Sequence, residues 1–106
     1  MTERVNVYEV APRDGLQNES SVVDTDDKVA FLEKLVHAGY RDIELTSFVR
    51  PRWVPQLADA SEVVARTAAL ADREGVTFWA LVPNRRGMER ALDSELGAVA
   101  TFLSAS

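Results

Sequence analysis

Stretches patterned as strands and stretches patterned as helices alternate strictly along this chain, and that alternation leaves few architectures open. Arg4 to Val10 alternates apolar Val5, Val7 and Tyr8 with polar neighbours, and it stops at Pro12, which cannot donate to a strand ladder. Asp24-Thr25-Asp26-Asp27 then places a capping side chain and carboxylates where a helix dipole favours negative charge. Val29, Leu32, Leu35 and Val36 follow at helical spacing, and Gly39 supplies the stop. Arg41 to Thr46 reads as a second strand. A loop broken by Pro51, Trp53 and Pro55 leads to a second helix over Asp59 to Glu74, closed by Gly75, with Val63, Val64, Thr67, Leu70 and Ala71 on one face. Val76 to Val82 is an almost unbroken apolar run, which predicts a strand covered on both faces. Asn84 caps a shorter helix to Asp93 with Met88, Ala91 and Leu92 facing inward, and Ala98 to Leu103 gives a fourth strand.

The order βαβαβαβ implies an α/β fold with a parallel sheet and right-handed crossovers, the unit from which both doubly wound sheets and (β/α)8 barrels are made. A complete barrel takes about 250 residues. This chain has 106, so it is long enough for half of one. With 46% hydrophobic and 27% charged residues it carries one modest core and no composition shift that would divide it. Twelve basic against seventeen acidic residues give a net charge of −5, and the basic residues lie scattered, which argues against nucleic-acid binding. The absence of cysteine and the solitary His37 exclude a disulfide framework, a thiolate metal site and any site built on a histidine pair within these residues. No stretch reads as a membrane span or a targeting segment, so the expected location is cytoplasmic.

In a parallel α/β fold the reactive groups gather at the carboxyl ends of the strands, where every βα loop opens. The first such loop runs Ala11-Pro12-Arg13-Asp14-Gly15-Leu16-Gln17-Asn18-Glu19, and the tail of the second strand carries Glu44, Thr46 and Ser47. An Asp beside an Arg suits a hard divalent cation with an oxyanionic substrate, the carboxylate ligating the metal and the guanidinium stabilising negative charge. The same residues also suit a structural Arg13–Glu44 ion pair and an Asp14 turn leading into Gly15. On spacing alone both readings stand.

The block Glu9-Val10-Ala11-Pro12-Arg13-Asp14-Gly15-Leu16-Gln17-Asn18-Glu19 resembles the N-terminal part of the hydroxymethylglutaryl-CoA lyase family. So do Ile43-Glu44-Leu45-Thr46-Ser47-Phe48-Val49 and Pro51-Arg52-Trp53-Val54-Pro55-Gln56-Leu57-Ala58-Asp59. The likeness continues through Leu81-Val82-Pro83-Asn84 with Gly87 and through Phe102 to Ser106. Related Claisen-type synthases of the same metal-dependent barrel superfamily usually carry Glu where Leu16 stands, which argues against the condensing direction. Ser20 and Arg52 replace residues that are commonly Lys in the lyases.

The resemblance implies that residues 1–106 are the N-terminal portion of a single (β/α)8 barrel domain. It implies a metal-dependent retro-Claisen cleavage of 3-hydroxy-3-methylglutaryl-CoA to acetoacetate and acetyl-CoA, in the family's leucine-degradation chemistry, with Mg²⁺ or Mn²⁺ as the cofactor. It assigns Asp14 as a metal ligand, Arg13 as the group stabilising the thioester enolate, and Glu44 as the acidic residue orienting both. Gln17, Asn18 and Ser47 are supporting hydrogen-bonding candidates. The family's other ligands, a His-x-His pair and an Asn, and its catalytic Cys lie on later strands, so these residues alone are expected to be inactive.

The competing reading is a non-catalytic half-barrel that self-associates, because four strands leave two parallel edges and an uncovered inner face. Of the remaining residues, His37 suits a helix C-terminus through its dipole, and Trp53 and Trp79 read as packing residues. Arg85 and Arg86 read as a solvated helix start, within reach of CoA phosphates if the barrel reading holds.

Overall fold

The computed structural model describes residues 7–17, 21–49, 52 and 54–101. Within them lie strands β1 (Tyr8–Glu9), β2 (Asp42–Ser47), β3 (Thr77–Leu81) and β4 (Ala98–Ala100), and helices α1 (Thr25–His37), α2 (Ala60–Glu74) and α3 (Arg85–Leu92). Every strand pairs in parallel with its neighbour in sequence, in the order β1-β2-β3-β4. That order settles the choice between the two architectures. A doubly wound sheet reverses direction at a switch point and so has helices on both faces. Three right-handed crossovers stepping the same way put all the helices on one face, as in a barrel.

The core lies between that helical face and the sheet. Ile43 and Leu45 of β2 and Phe78 and Ala80 of β3 meet Leu32 and Val36 of α1 and Val63, Val64 and Leu70 of α2, all buried. The prediction that β3 is covered on both faces is corrected. Val76, Phe78, Ala80 and Val82 are buried, while Thr77, Trp79 and Leu81 between them are half-buried. Helices cover one face only, so an apolar run reads as alternation once its surroundings are known. In β2 the register shifts between Glu44 and Thr46: Glu44 lies opposite Trp79, Thr46 opposite Ala80 and Ser47 opposite Leu81. This bulge at Leu45 returns Ser47 to the row of Glu44.

The helix ends follow their sequence signals in part. Asn84 caps α3, its Oδ1 accepting from the Gly87 N–H at 2.8 Å, and Gly75 closes α2 in the left-handed region at φ 64°. Asp24 occupies the α1 cap position without a side-chain bond, although Asp26 and Asp27 lie in the first turn as expected. One cluster escaped the periodicity. Lys28 is buried, and its Nζ donates to the Asp59 carboxylate at 2.5 Å and to the Gln56 carbonyl, while the Thr25 hydroxyl donates to the other Asp59 oxygen. This polar contact joins α1 to the segment leading into α2. Leu92, expected inward, is 77% exposed; α3 instead faces the fold through Gly87 and Ala91, with Met88 half-buried. The last turn of so short a helix swings Leu92 about 100° past Ala91, away from the sheet. Residues 4–6 of the expected first strand, 102–103 of the fourth, and Pro51 and Trp53 lie outside the described residues. Among the described residues no helix is long and apolar enough to cross a membrane.

Gly87 sets how closely α3 approaches β2. A Cβ there would lie 2.5 Å from the Phe48 carbonyl oxygen, whereas one on Gly15 would meet nothing within 4 Å. An alanine inside a helix ordinarily stabilises by about 0.5–1 kcal/mol over glycine. Gly87→Ala is expected to reverse that sign and cost about 1–3 kcal/mol through the steric conflict. Urea unfolding midpoints, with Gly15→Ala as the reference that stays close to the parent, check it.

Candidate functional site

The side of the sheet away from the helices carries the charges. Asp42 and Glu44 alternate along β2 with Ile43 and Leu45, and the pleat sends the two carboxylates to the open face while the aliphatics enter the core. Tyr8 lies opposite Asp42, and Trp79 opposite Glu44. The Tyr8 and Trp79 rings meet edge to face with centroids 5.5 Å apart, and the Trp79 indole N–H donates to Asp42 Oδ1 at 3.0 Å.

Glu44 is buried, with only 4% of its side chain exposed, and both of its oxygens are engaged. Arg13 Nε donates to Oε1 and the Tyr8 hydroxyl donates to Oε2. Arg13 comes from a π-helical turn over Ala11–Gly15 at the end of β1, with Pro12 buried beneath it. That turn is held by the Arg13 and Asp14 N–H groups, which both donate to the Val10 carbonyl, at 3.0 and 2.7 Å. Arg13 also reaches Asp14, with Nη1 3.3 Å from Oδ1, so a single guanidinium lies between a buried carboxylate and one that is 56% exposed. Burial, together with the hydrogen bond to Glu44 and its negative charge, raises the Tyr8 hydroxyl above its ordinary range and keeps it a donor.

The sequence-derived candidates are therefore partly assembled. Arg13, Asp14 and Glu44 converge on one point. Gln17 is half-buried at the end of the same loop, and Ser47 is buried one pleat beyond Glu44 with its hydroxyl donating to the Leu81 carbonyl at 3.0 Å. Asn18 lies outside the described residues. Tyr8, Asp42 and Trp79 were missed as site residues. Polar residues spaced by two along a strand whose alternate positions are aliphatic were the available signal for Asp42. Nothing local marked Tyr8, whose role depends on the pairing register. Among the described residues no three His, Cys, Asp or Glu side chains surround a common point. Asp14 fits as one hard oxygen ligand of a divalent cation, but these residues do not make a complete metal centre.

Comparison with known proteins places this geometry. The chain is 48% identical over 105 residues to a hydroxymethylglutaryl-CoA lyase of Bacillus subtilis, covering 98% of itself and 34% of that protein. The solved hydroxymethylglutaryl-CoA lyase from Pseudomonas aeruginosa superposes with a TM-score of 0.86 at 47% identity, over 97% of this chain and 33% of that one. An HMG-CoA lyase from Acinetobacter baumannii, solved with coenzyme A and 3-methylmalate, matches with a TM-score of 0.83 at 36% identity, over 100% of this chain and 35% of that one. The chain thus spans about a third of the length of the relatives it matches. Its four-stranded unit corresponds to the N-terminal part of the barrel in the lyase structures. The HMGL-like family model runs through residues 4–106, across the Arg13 turn and all four strands, and the chain belongs to that family.

Proposed function

We propose that these residues are the N-terminal portion of a single barrel domain that cleaves 3-hydroxy-3-methylglutaryl-CoA, or a closely related acyl-CoA, to acetyl-CoA and a 3-oxo acid. The observation that carries the reading is the convergence of Arg13, Asp14 and Glu44 at the open end of β1 and β2, in a chain nearly half identical to a hydroxymethylglutaryl-CoA lyase. In the cleavage the tertiary hydroxyl loses its proton and the adjacent carbon–carbon bond breaks. The bonding pair passes to the carbon next to the thioester, and the resulting enolate is then protonated. Arg13 presents its guanidinium to the enolate oxygen, where negative charge is largest in the transition state. Glu44 acts as a positioning residue that holds this cation at a fixed angle, with Tyr8 occupying its other oxygen. Asp14 contributes one ligand to Mg²⁺ or Mn²⁺, which when bound supplies Lewis-acid polarisation of the substrate oxygens. The remaining ligands and the proton donor come from segments beyond these residues, and a cytoplasmic setting suits the chemistry.

A protein of the relatives' full length carrying this sequence is expected to release acetoacetate from the CoA ester with a divalent cation present, whereas the 106 residues alone release none at enzyme-like rates. Arg13→Met in the longer protein is expected to lower kcat by about a hundredfold or more with KM little changed. A raised KM with kcat intact would make Arg13 a binding residue only.

The charge arrangement is testable without substrate. Glu44→Gln removes the negative charge but not the burial, so the Tyr8 pKa is expected to fall yet stay above its ordinary 10.0, read from tyrosinate absorbance in a Tyr40→Phe background. Because the folded state holds the Tyr8 proton more tightly than the unfolded chain, its stabilising contribution is whole below pH 10 and is lost as pH rises above that value. Tyr8→Phe is expected to flatten that alkaline decline in urea titrations. Among the described residues no helix covers the face bearing Trp79 and Leu81, and the isolated 106 residues are expected to sediment as a dimer or larger species.

A further inference from the structure

Trp79 reads from the sequence as a packing residue, yet it stands on the side of β3 away from the core. Its neighbours Phe78 and Ala80 are buried under the helices, while Trp79 is half-buried on the open face, in register with Glu44. Its indole N–H donates to Asp42 Oδ1 at 3.0 Å, and among the described residues Asp42 takes part in no ion pair. A hydrogen bond from N–H to a carboxylate is charge-assisted and directional, so it sets the rotation of the ring as well as its place.

The ring fixed in this way meets Tyr8 edge to face, with centroids 5.5 Å apart and planes at 89°. Tyr8 needs support from outside its own strand. β1 is two residues long and, among the described residues, pairs on one side only, and Tyr8 is 39% exposed. Trp79 comes from β3, where it pairs with Glu44 of β2 on one side and Ala98 of β4 on the other. A strand bonded on both sides opens less readily than a short one bonded on one. The Tyr8 hydroxyl in turn donates to Glu44 Oε2 while Arg13 Nε donates to Oε1, so two donors set the plane of the carboxylate. Were Tyr8 to turn away, Oε2 would lose its partner and the carboxylate could rotate, taking the Arg13 side chain with it.

We propose that Trp79 is a positioning residue for the cleavage: pinned by Asp42, its indole holds the Tyr8 ring, whose hydroxyl fixes Glu44 and through it the angle of the Arg13 guanidinium. The assignment rests on the acyl-CoA reading given above.

The experiment is a mutant cycle in a protein of the relatives' full length. Trp79→Phe keeps a ring against Tyr8 without the bond to Asp42, and Trp79→Leu keeps neither. Expected are a kcat about threefold lower for Trp79→Phe and about tenfold lower for Trp79→Leu, with KM within about twofold, because a misplaced transition-state contact costs turnover more than binding. In a Tyr8→Phe background, which already lacks the hydroxyl, Trp79→Leu is expected to cost no further kcat. Equal losses with and without that hydroxyl, or a raised KM with kcat intact, overturn the proposal and leave Trp79 a packing residue. If Trp79→Leu does not fold, Trp79→Phe carries the same comparisons.

A parent that fails to cleave the CoA ester defeats the acyl-CoA reading instead, and the contact is then read in the 106-residue chain. There Trp79→Leu is expected to bring the Tyr8 hydroxyl pKa down toward its ordinary 10.0, followed by tyrosinate absorbance in a Tyr40→Phe background with circular dichroism matching the parent. A Tyr8 titration that Trp79→Leu leaves unchanged shows that the indole does not hold Tyr8, and the proposal falls with it.

Discussion

A buried carboxylate on the uncovered face of a parallel sheet must be compensated, and Glu44 imposes that condition on everything near it. An ionised group that has lost its water is tolerated only when paired and hydrogen-bonded, and removing one partner of such a pair leaves an expensive orphan. Arg13 and Tyr8 meet the requirement from β1 and the turn after it, both of which pack against β2. The π-helical turn, the buried Pro12 beneath it and the pairing of Tyr8 with Asp42 are all arranged around one side chain of β2. The Arg13 guanidinium is thereby held in place before any ligand arrives, which is what the proposed electrostatic role requires of it.

The two faces of the sheet divide the labour. Aliphatic residues of β2 and β3 join α1 and α2 in a core that could belong to many α/β proteins, and the Lys28–Asp59 pair with Thr25 links the helices at one end. The opposite face carries the residues that distinguish this chain: Asp42, Glu44, Tyr8 and Trp79. One side thus supplies cohesion and the other holds the charge cluster, and a single strand, alternating between them, contributes to both.

The order of elements was legible because alternating periodicities survive without tertiary information, and Asn84 and Gly75 mark helix ends by local chemistry alone. Arg13, Asp14 and Glu44 were legible because the ends of parallel strands are where reactive groups collect, and a family resemblance gave them roles. What escaped depended on partners distant in sequence. Lys28 sits at a helical position that periodicity assigns to an apolar residue, and only the approach of Asp59 and Gln56 explains it. Leu92 was placed inward by spacing, but the closeness of Gly87 to Phe48 decides which stripe of α3 faces the fold. The role of Tyr8 follows from a strand register that no local signal encodes.

The extra residue in β2 shapes the sheet as well as the pairing. A bulge raises local twist and bends the strand that contains it, so the register shift after Glu44 curves the sheet at the strand bearing its most deeply buried charge. Closure of parallel strands into a cylinder needs such curvature, and here it lies next to the charged cluster rather than in the core. A regular strand, with Leu45 paired in its turn opposite Ala80, would move the Thr46 hydroxyl from the helical side to the open one. The Ser47 hydroxyl would go the other way, so the pattern of polar groups lining the future interior is written into the backbone path of one strand.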